Sequence, residues 1–199
     1  MPEGQFFHRR ATGQLQSHRA LYSLATNEAS SRKAIERDHI VTPELLQAGQ
    51  PAPLFSLPDA DMQSVDLSRF RGKKNVVLYF YPRDGTPSCT MQATDFTDHE
   101  EDFARVDCVV IGVSPDDCLC HAEFRDAHGV SIRLLADPEG EVSQKYGVWL
   151  RQQTNGQRRS LIVRSTFIID KKGRVRHALY GVNPKGHALE VLELVKALD

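Results

Sequence analysis

The sequence predicts an α/β fold, a central mixed sheet flanked by helices, on three observations. Two continuous apolar runs of strand length, Val76–Tyr81 and Cys108–Val113, read as central strands covered on both faces rather than as half-exposed ones. Helical stretches follow each of them, and strand–helix alternation gives a largely parallel sheet with helices on both faces. Near the C-terminus, Lys171-Lys172-Gly173 separates two further strand-like runs and adds an antiparallel hairpin.

Taken in order, the elements begin after Gly49-Gln50-Pro51. Leu54-Phe55 opens a short strand, Asp59-Ala60-Asp61 supplies turn chemistry, Met62–Val65 returns as a second strand, and Leu67–Phe70 forms one helical turn. Asn75–Tyr81 is the first central strand, and a helix is expected from about Cys89 to Arg105, with Ala93, Phe96, Phe103 and Ala104 as its apolar positions. Val106–Val113 is the second central strand. Ser114-Pro115-Asp116-Asp117 then reads as a helix start, with Ser as N-cap, Pro in the first position and acids in the first turn. That helix runs to His128 and stops at Gly129. Ser131–Leu135 is a strand and Glu139–Tyr146 a short helix. Ser165–Asp170 and Val175–Tyr180 form the hairpin, and the helix Ala188–Leu198 turns Leu189, Val191, Leu192, Val195 and Leu198 to one face. The order βαβαβαββα is that of a thioredoxin-like fold with an N-terminal addition and an inserted strand–helix unit.

Composition narrows the function. The 199 residues are 40% hydrophobic and 26% charged, enough for one packed core. A net charge of −1 with no basic stripe argues against a nucleic-acid partner, and no apolar run is long enough to span a bilayer. The four cysteines, Cys89, Cys108, Cys118 and Cys120, are too few for a disulfide scaffold and point to a reducing, cytoplasmic setting. Residues 1–47 differ from 48–199: they are polar, rich in Arg, Ser, Gln, Ala and His, and read as an extension with helical stretches at Arg19–Leu24 and Arg32–Arg37. Organelle import through this segment is the less favoured reading, because no clear amphipathic face is present.

The chemistry centres on Cys89 in LYFYPRDGTPSCTMQATDF, residues 78–96. A free thiol has a pKa of about 8.5, so a nucleophile at neutral pH needs positive potential, and the N–H groups at a helix N-terminus supply it. Pro82 ends the strand, Asp84-Gly85 turns the chain, Pro87 suits the first turn, and the Thr86 hydroxyl lies three residues before the cysteine. A lone cysteine after a strand is also ordinary core filling, so position alone does not decide.

Pro82-x-x-x-Thr86-x-x-Cys89 resembles the active-site motif of the peroxiredoxins, and YFYPRDGTPSCTMQATDF resembles the bacterioferritin comigratory protein or PrxQ branch of the AhpC/TSA family. VVIGVSPDD, FRDAHG, LLADPEG, KYGVW and RSTFIIDKKG resemble further segments of that branch in the same order, so the likeness runs from about residue 48 to the C-terminus. It implies a thioredoxin-like fold of the peroxiredoxin type and a thiol-dependent peroxidase that reduces hydrogen peroxide and organic hydroperoxides in antioxidant defence. Under it, Cys89 matches the peroxidatic cysteine that becomes a sulfenic acid. Thr86 matches the threonine that hydrogen-bonds peroxide and thiolate, and Pro82 the proline that shields the pocket. Arg164 matches the arginine that stabilises the thiolate and polarises the peroxide, and Gln92 the residue that holds that arginine. The physics agrees, since displacement at oxygen develops negative charge that fixed donors and a guanidinium stabilise.

The resemblance breaks at the second thiol. Many relatives carry a resolving cysteine five residues after the first, where this chain has Thr94; others carry it at a position matching Arg125. Cys108, inside a buried strand, reads as core. Cys118 and Cys120 remain as candidate resolving thiols, about 200° apart around a helix and so unable to face the same partner together. An internal disulfide and one-cysteine chemistry both stay open. Cys118-x-Cys120-His121 is too tight for the usual metal pair and has no second pair, so no metal and no cofactor are expected. The reductant implied is thioredoxin, glutaredoxin or a low-molecular-weight thiol, on a monomer or homodimer. Two other readings share the fold: a thiol–disulfide oxidoreductase, which needs a second cysteine that Cys89-Thr90-Met91-Gln92 lacks, and a redox sensor using Cys118 and Cys120.

Overall fold

The computed structural model describes residues 45–154 and 157–198, with side chains outside 151–159. The expected helical stretches at Arg19–Leu24 and Arg32–Arg37 lie outside the described residues, as does any import segment. The strands are β1 (Ser56–Pro58), β2 (Ser64–Asp66), β3 (Asn75–Phe80), β4 (Cys108–Ser114), β5 (Arg133–Ala136), β6 (Trp149–Thr154), β7 (Gln157–Ile162), β8 (Ser165–Ile169) and β9 (Val175–Tyr180). The helices are α1 (Pro87–Asp98), α2 (Glu100–Arg105), α3 (Cys118–His128), α4 (Glu141–Lys145) and α5 (His187–Lys196), and Leu67–Phe70 is the single 3₁₀ turn expected there.

The central sheet has the order β5-β4-β3-β8-β9. β3 pairs in parallel with β4, and β4 with β5, whereas β3–β8 and β8–β9 are antiparallel. The sheet is therefore evenly mixed rather than largely parallel. Every residue of β3 is buried, as its unbroken apolar run predicts. Alternation along β3 divides the core in two. Val77, Tyr79 and Tyr81 face a cluster that includes Ala93 and Phe96 of α1, Phe103 of α2, Phe124 of α3 and Val191 of α5. Val76, Leu78 and Phe80 face a second cluster with Phe55, Val65, Leu67, Val142 of α4, Tyr146 and Ile162 of β7. Two successive crossovers of the same hand, β3 to β4 to β5, put α1, α2 and α3 on one face. Hairpins and the short α4 cover the other.

Several local expectations shift. The helix expected through Arg105 breaks at His99 into α1 and α2, and Ala104 is exposed. Ser114 belongs to β4, its side chain bonded to Asp116, and Asp117 is the N-cap of α3, accepting the Cys120 N–H at 2.8 Å. Asp117 takes the cap because it is the residue that leaves extended backbone directly into the helix, while Ser114 stays paired in the strand. Gly129 closes α3 in the left-handed conformation, as expected. On α5, Ala188, Val191, Leu192 and Val195 are buried, but Leu189 is 51% exposed and lies off that face. The β6–β7 hairpin was not expected at all. Trp149 pairs with Ile162, and the Val163 N–H donates to the Val148 carbonyl at 2.8 Å, closing the hairpin at its base.

Candidate active site

The site forms where the end of β3 meets the start of β8. Their antiparallel register sets Phe80 beside Ser165. Cys89 leaves the β3 end through the loop to α1, and Arg164 immediately precedes β8. The register therefore brings together two residues 75 positions apart: an Arg164 Nη2–H donates to the Cys89 sulfur at 3.0 Å.

The loop follows the expected local chemistry. The chain leaves β3 at Phe80, passes Tyr81 and the half-buried Pro82, and turns at Asp84-Gly85, where Gly85 has φ +69°. Thr86 is the N-cap of α1 and Pro87 sits at its first position. Cys89 is thus the third helical residue, two later than expected. Its own N–H bonds back to the Thr86 carbonyl at 3.0 Å, and its side chain is 2% exposed. The Thr86 hydroxyl donates to the Arg83 carbonyl at 3.4 Å and makes no cap bond.

Arg164 is held from two sides. Its Nη1 donates to Gln92 Oε1, and its Nη2 is shared between Cys89 and Ser88 Oγ, the latter at 3.2 Å. Gln92 is fully buried one turn along α1. Ser88 was missed by the sequence reading; its place beside Cys89 was the available signal. Beneath the thiol, Tyr79 stacks on Phe96 with centroids 4.9 Å apart and on Tyr81 at 5.4 Å. Gly112 on the neighbouring β4 leaves room for that ring, since a Cβ there would lie 2.7 Å from the Tyr79 hydroxyl.

The other thiols occupy different surroundings. Cys108 is buried in β4, and burial pushes its thiol up to about 12. Cys118, the first residue of α3, is half-buried and lines a cleft of about 270 Å³ with Leu57, Pro58 and Ala136; burial and then the Asp117 charge push its thiol up. Cys120 is exposed, and hydrogen bonding to Asp117 pushes its thiol up. All four cysteines are free. Thr94 and Arg125, at the positions where the resemblance implied a resolving cysteine, have local work. The Thr94 hydroxyl donates to the Thr90 carbonyl at 3.0 Å, and Arg125 pairs with Asp61 at 2.8 Å. His121 is buried and turned toward Asp84, so it does not converge with the exposed Cys120. Among the described residues no helix is long and apolar enough to cross a membrane.

Residues 48–178 match the AhpC/TSA family. The chain belongs to that family. It is 41% identical over 154 residues to the peroxiredoxin Bcp of Bacillus subtilis, covering 77% of this chain and 98% of that protein. Two solved structures share the fold. The bacterioferritin comigratory protein of Xanthomonas campestris, studied for its alkyl peroxide reduction activity, superposes with a TM-score of 0.68 at 29% identity over 72% of this chain and 90% of that one. The peroxidoxin BcpB of Mycobacterium tuberculosis gives 0.70 at 30% identity over 77% and 99%. The protein is a thiol-dependent peroxidase of the Bcp/PrxQ type on a thioredoxin-like fold, as the resemblance implied.

Proposed function

We propose that Cys89 is the peroxidatic nucleophile and that hydrogen peroxide and alkyl hydroperoxides are its substrates. The observation that carries this is the Arg164 guanidinium 3.0 Å from a buried sulfur. The thiolate attacks the distal peroxide oxygen, an S–O bond forms as the O–O bond breaks, and the leaving oxygen takes a proton to give water or an alcohol. Cys89 is left as a sulfenic acid. Arg164 serves twice, favouring negative charge on sulfur before attack and on the leaving oxygen during it. Gln92 holds the guanidinium in place, the Thr86 hydroxyl orients the peroxide, and Pro82 keeps water from the sulfur.

The sulfenic acid condenses with a thiol, releasing water and forming a disulfide, and a second thiol returns Cys89 to its reduced form. Cys118 or Cys120 serves as the internal resolver, or an external thiol such as thioredoxin, glutaredoxin or a small thiol takes that place. Residues 48–199 carry this activity in the cytoplasm, with 1–47 as an extension.

Peroxide consumption by the full chain with dithiothreitol tests the reading. Cys89→Ser is expected to abolish it; equal consumption by variant and wild type would remove Cys89 from the reaction. Intact mass and peptide mapping after about one equivalent of peroxide separate a Cys89–Cys118 or Cys89–Cys120 cross-link from an added oxygen on Cys89.

A further inference from the structure

The loop that presents Pro82 and Thr86 has little hold on itself, with a left-handed Gly85 and one 3.4 Å bond from the Thr86 hydroxyl. Its ties to the rest of the molecule converge on Asp84. Tyr81 Oη donates to Asp84 Oδ1 at 2.7 Å, and His121 Nδ1 lies 2.7 Å from Asp84 Oδ2. The Asp84 N–H donates to Asp116 Oδ2 at 2.8 Å, and Asp116 is itself held by the Ser114 hydroxyl at 2.6 Å. The His121 side chain is fully buried and that of Asp84 is 9% exposed.

This arrangement is an expensive way to glue a helix to a loop. Apolar side chains of similar volume would join α3 to the loop without desolvating a carboxylate. Hydrogen bonds add direction, which apolar contact lacks. With Tyr81 on one carboxylate oxygen and the Nδ1–H of His121 on the other, the Asp84 side chain has one orientation, and the backbone of residues 83–86 follows it. His121 Nε2 is buried and meets no partner among the described residues, so the ring's polar tie is the one to Asp84.

We propose that Asp84 and His121 are a positioning pair for the peroxidase reaction: α3, through His121, fixes the loop that sets Thr86 and Pro82 against Cys89. The inference rests on the assignment of Cys89 as the nucleophile. The pair touches neither sulfur nor peroxide, and it acts by holding the residues that do. A displacement of about 1 Å in such groups can cost about a hundredfold in rate.

The test compares two reactions of the same sulfur in the full chain. Reaction with hydrogen peroxide needs the loop to orient the oxidant. Alkylation by iodoacetamide needs an accessible thiolate but no oriented peroxide. His121→Phe keeps a ring and removes the donor, and His121→Asn restores a donor near the Nδ1 position. His121→Phe is expected to slow sulfenic acid formation at Cys89, followed by rapid quench and mass, about tenfold or more while alkylation stays within about twofold. His121→Asn is expected to recover most of the loss. A peroxide rate within about twofold of wild type in His121→Phe overturns the proposal, as does a parallel fall in both reactions that follows the melting temperature. Should His121→Phe fail to fold, Asp84→Asn carries the same comparison at unchanged side-chain volume. Wild-type chain that consumes peroxide without oxidation of Cys89 would remove the assignment beneath the inference, and the inference with it.

Discussion

Two helices begin beside one another at the same end of the sheet, each bringing cysteine into its first turn. At α1 the first turn holds no acid, and the Cys89 sulfur meets the Arg164 guanidinium. At α3 the N-cap is Asp117, whose carboxylate accepts the Cys120 N–H and disfavours ionisation of Cys120, while burial first and then Asp117 disfavour that of Cys118. The backbone ends are alike, and the charges set beside them are not. A helix terminus acts as about half an elementary charge. A full side-chain charge exceeds it at equal distance. Arginine occupies that place at one start and aspartate at the other.

The largest expected effect comes from removing the charge that distinguishes α1. Arg164→Met is expected to lower the rate constant of Cys89 with peroxide by about 10²-fold to 10³-fold, the loss typical of a missing transition-state donor; stopped-flow or rapid-quench kinetics measure it. A variant within a few-fold of wild type would mean the terminus alone suffices. The converse change at α3 is smaller. Asp117→Asn keeps a competent cap but removes the charge, so alkylation of Cys118 and Cys120 at pH 8 should rise by about 2-fold to 5-fold, with Cys89 unaffected, as peptide mapping of iodoacetamide adducts would record.

A third helix start sharpens the comparison through stability. His187 opens α5, buried, with its Nε2 paired to the Thr166 hydroxyl at 2.9 Å. Burial holds its imidazole below the ordinary 6.5, against the opposing pull of Glu190. The unfolded chain therefore takes up a proton near pH 6.5 that the folded chain resists. The stabilisation is complete above that pH and declines as pH falls through it, so the melting temperature should drop from pH 7 to 5. His187→Gln should flatten that slope, though the partly buried His177, also shifted down by burial, leaves a residual one.

Local pattern carried much of the fold. The unbroken apolar run of β3 read correctly as a doubly covered strand, and Lys171-Lys172-Gly173 as a hairpin turn. The β6–β7 hairpin escaped because the sequence Arg151-Gln152-Gln153 is polar throughout and shows no apolar alternation. Ser114 misled because Ser-Pro-Asp-Asp satisfies helix-start chemistry at two positions, and pairing with β5 kept Ser114 in the strand. At the site, the loop predicted that Cys89 stands at a helix start, and only the family motif singled it out as a nucleophile. Arg164 was legible only through family resemblance, since sheet register and not spacing brings it to the sulfur. Nothing local could announce the Asp84–His121 pair, whose members lie 37 positions apart on different elements.

The hairpin closed by Val148 and Val163 has a consequence for change in the chain. Arg164 follows that closure directly, and its own carbonyl accepts the Val182 N–H at 3.0 Å. Main-chain bonds therefore pin the arginine on both sides, and they do not depend on which side chains stand at positions 163 and 182, proline apart. The anchor of the guanidinium can keep its place while the residues around it change.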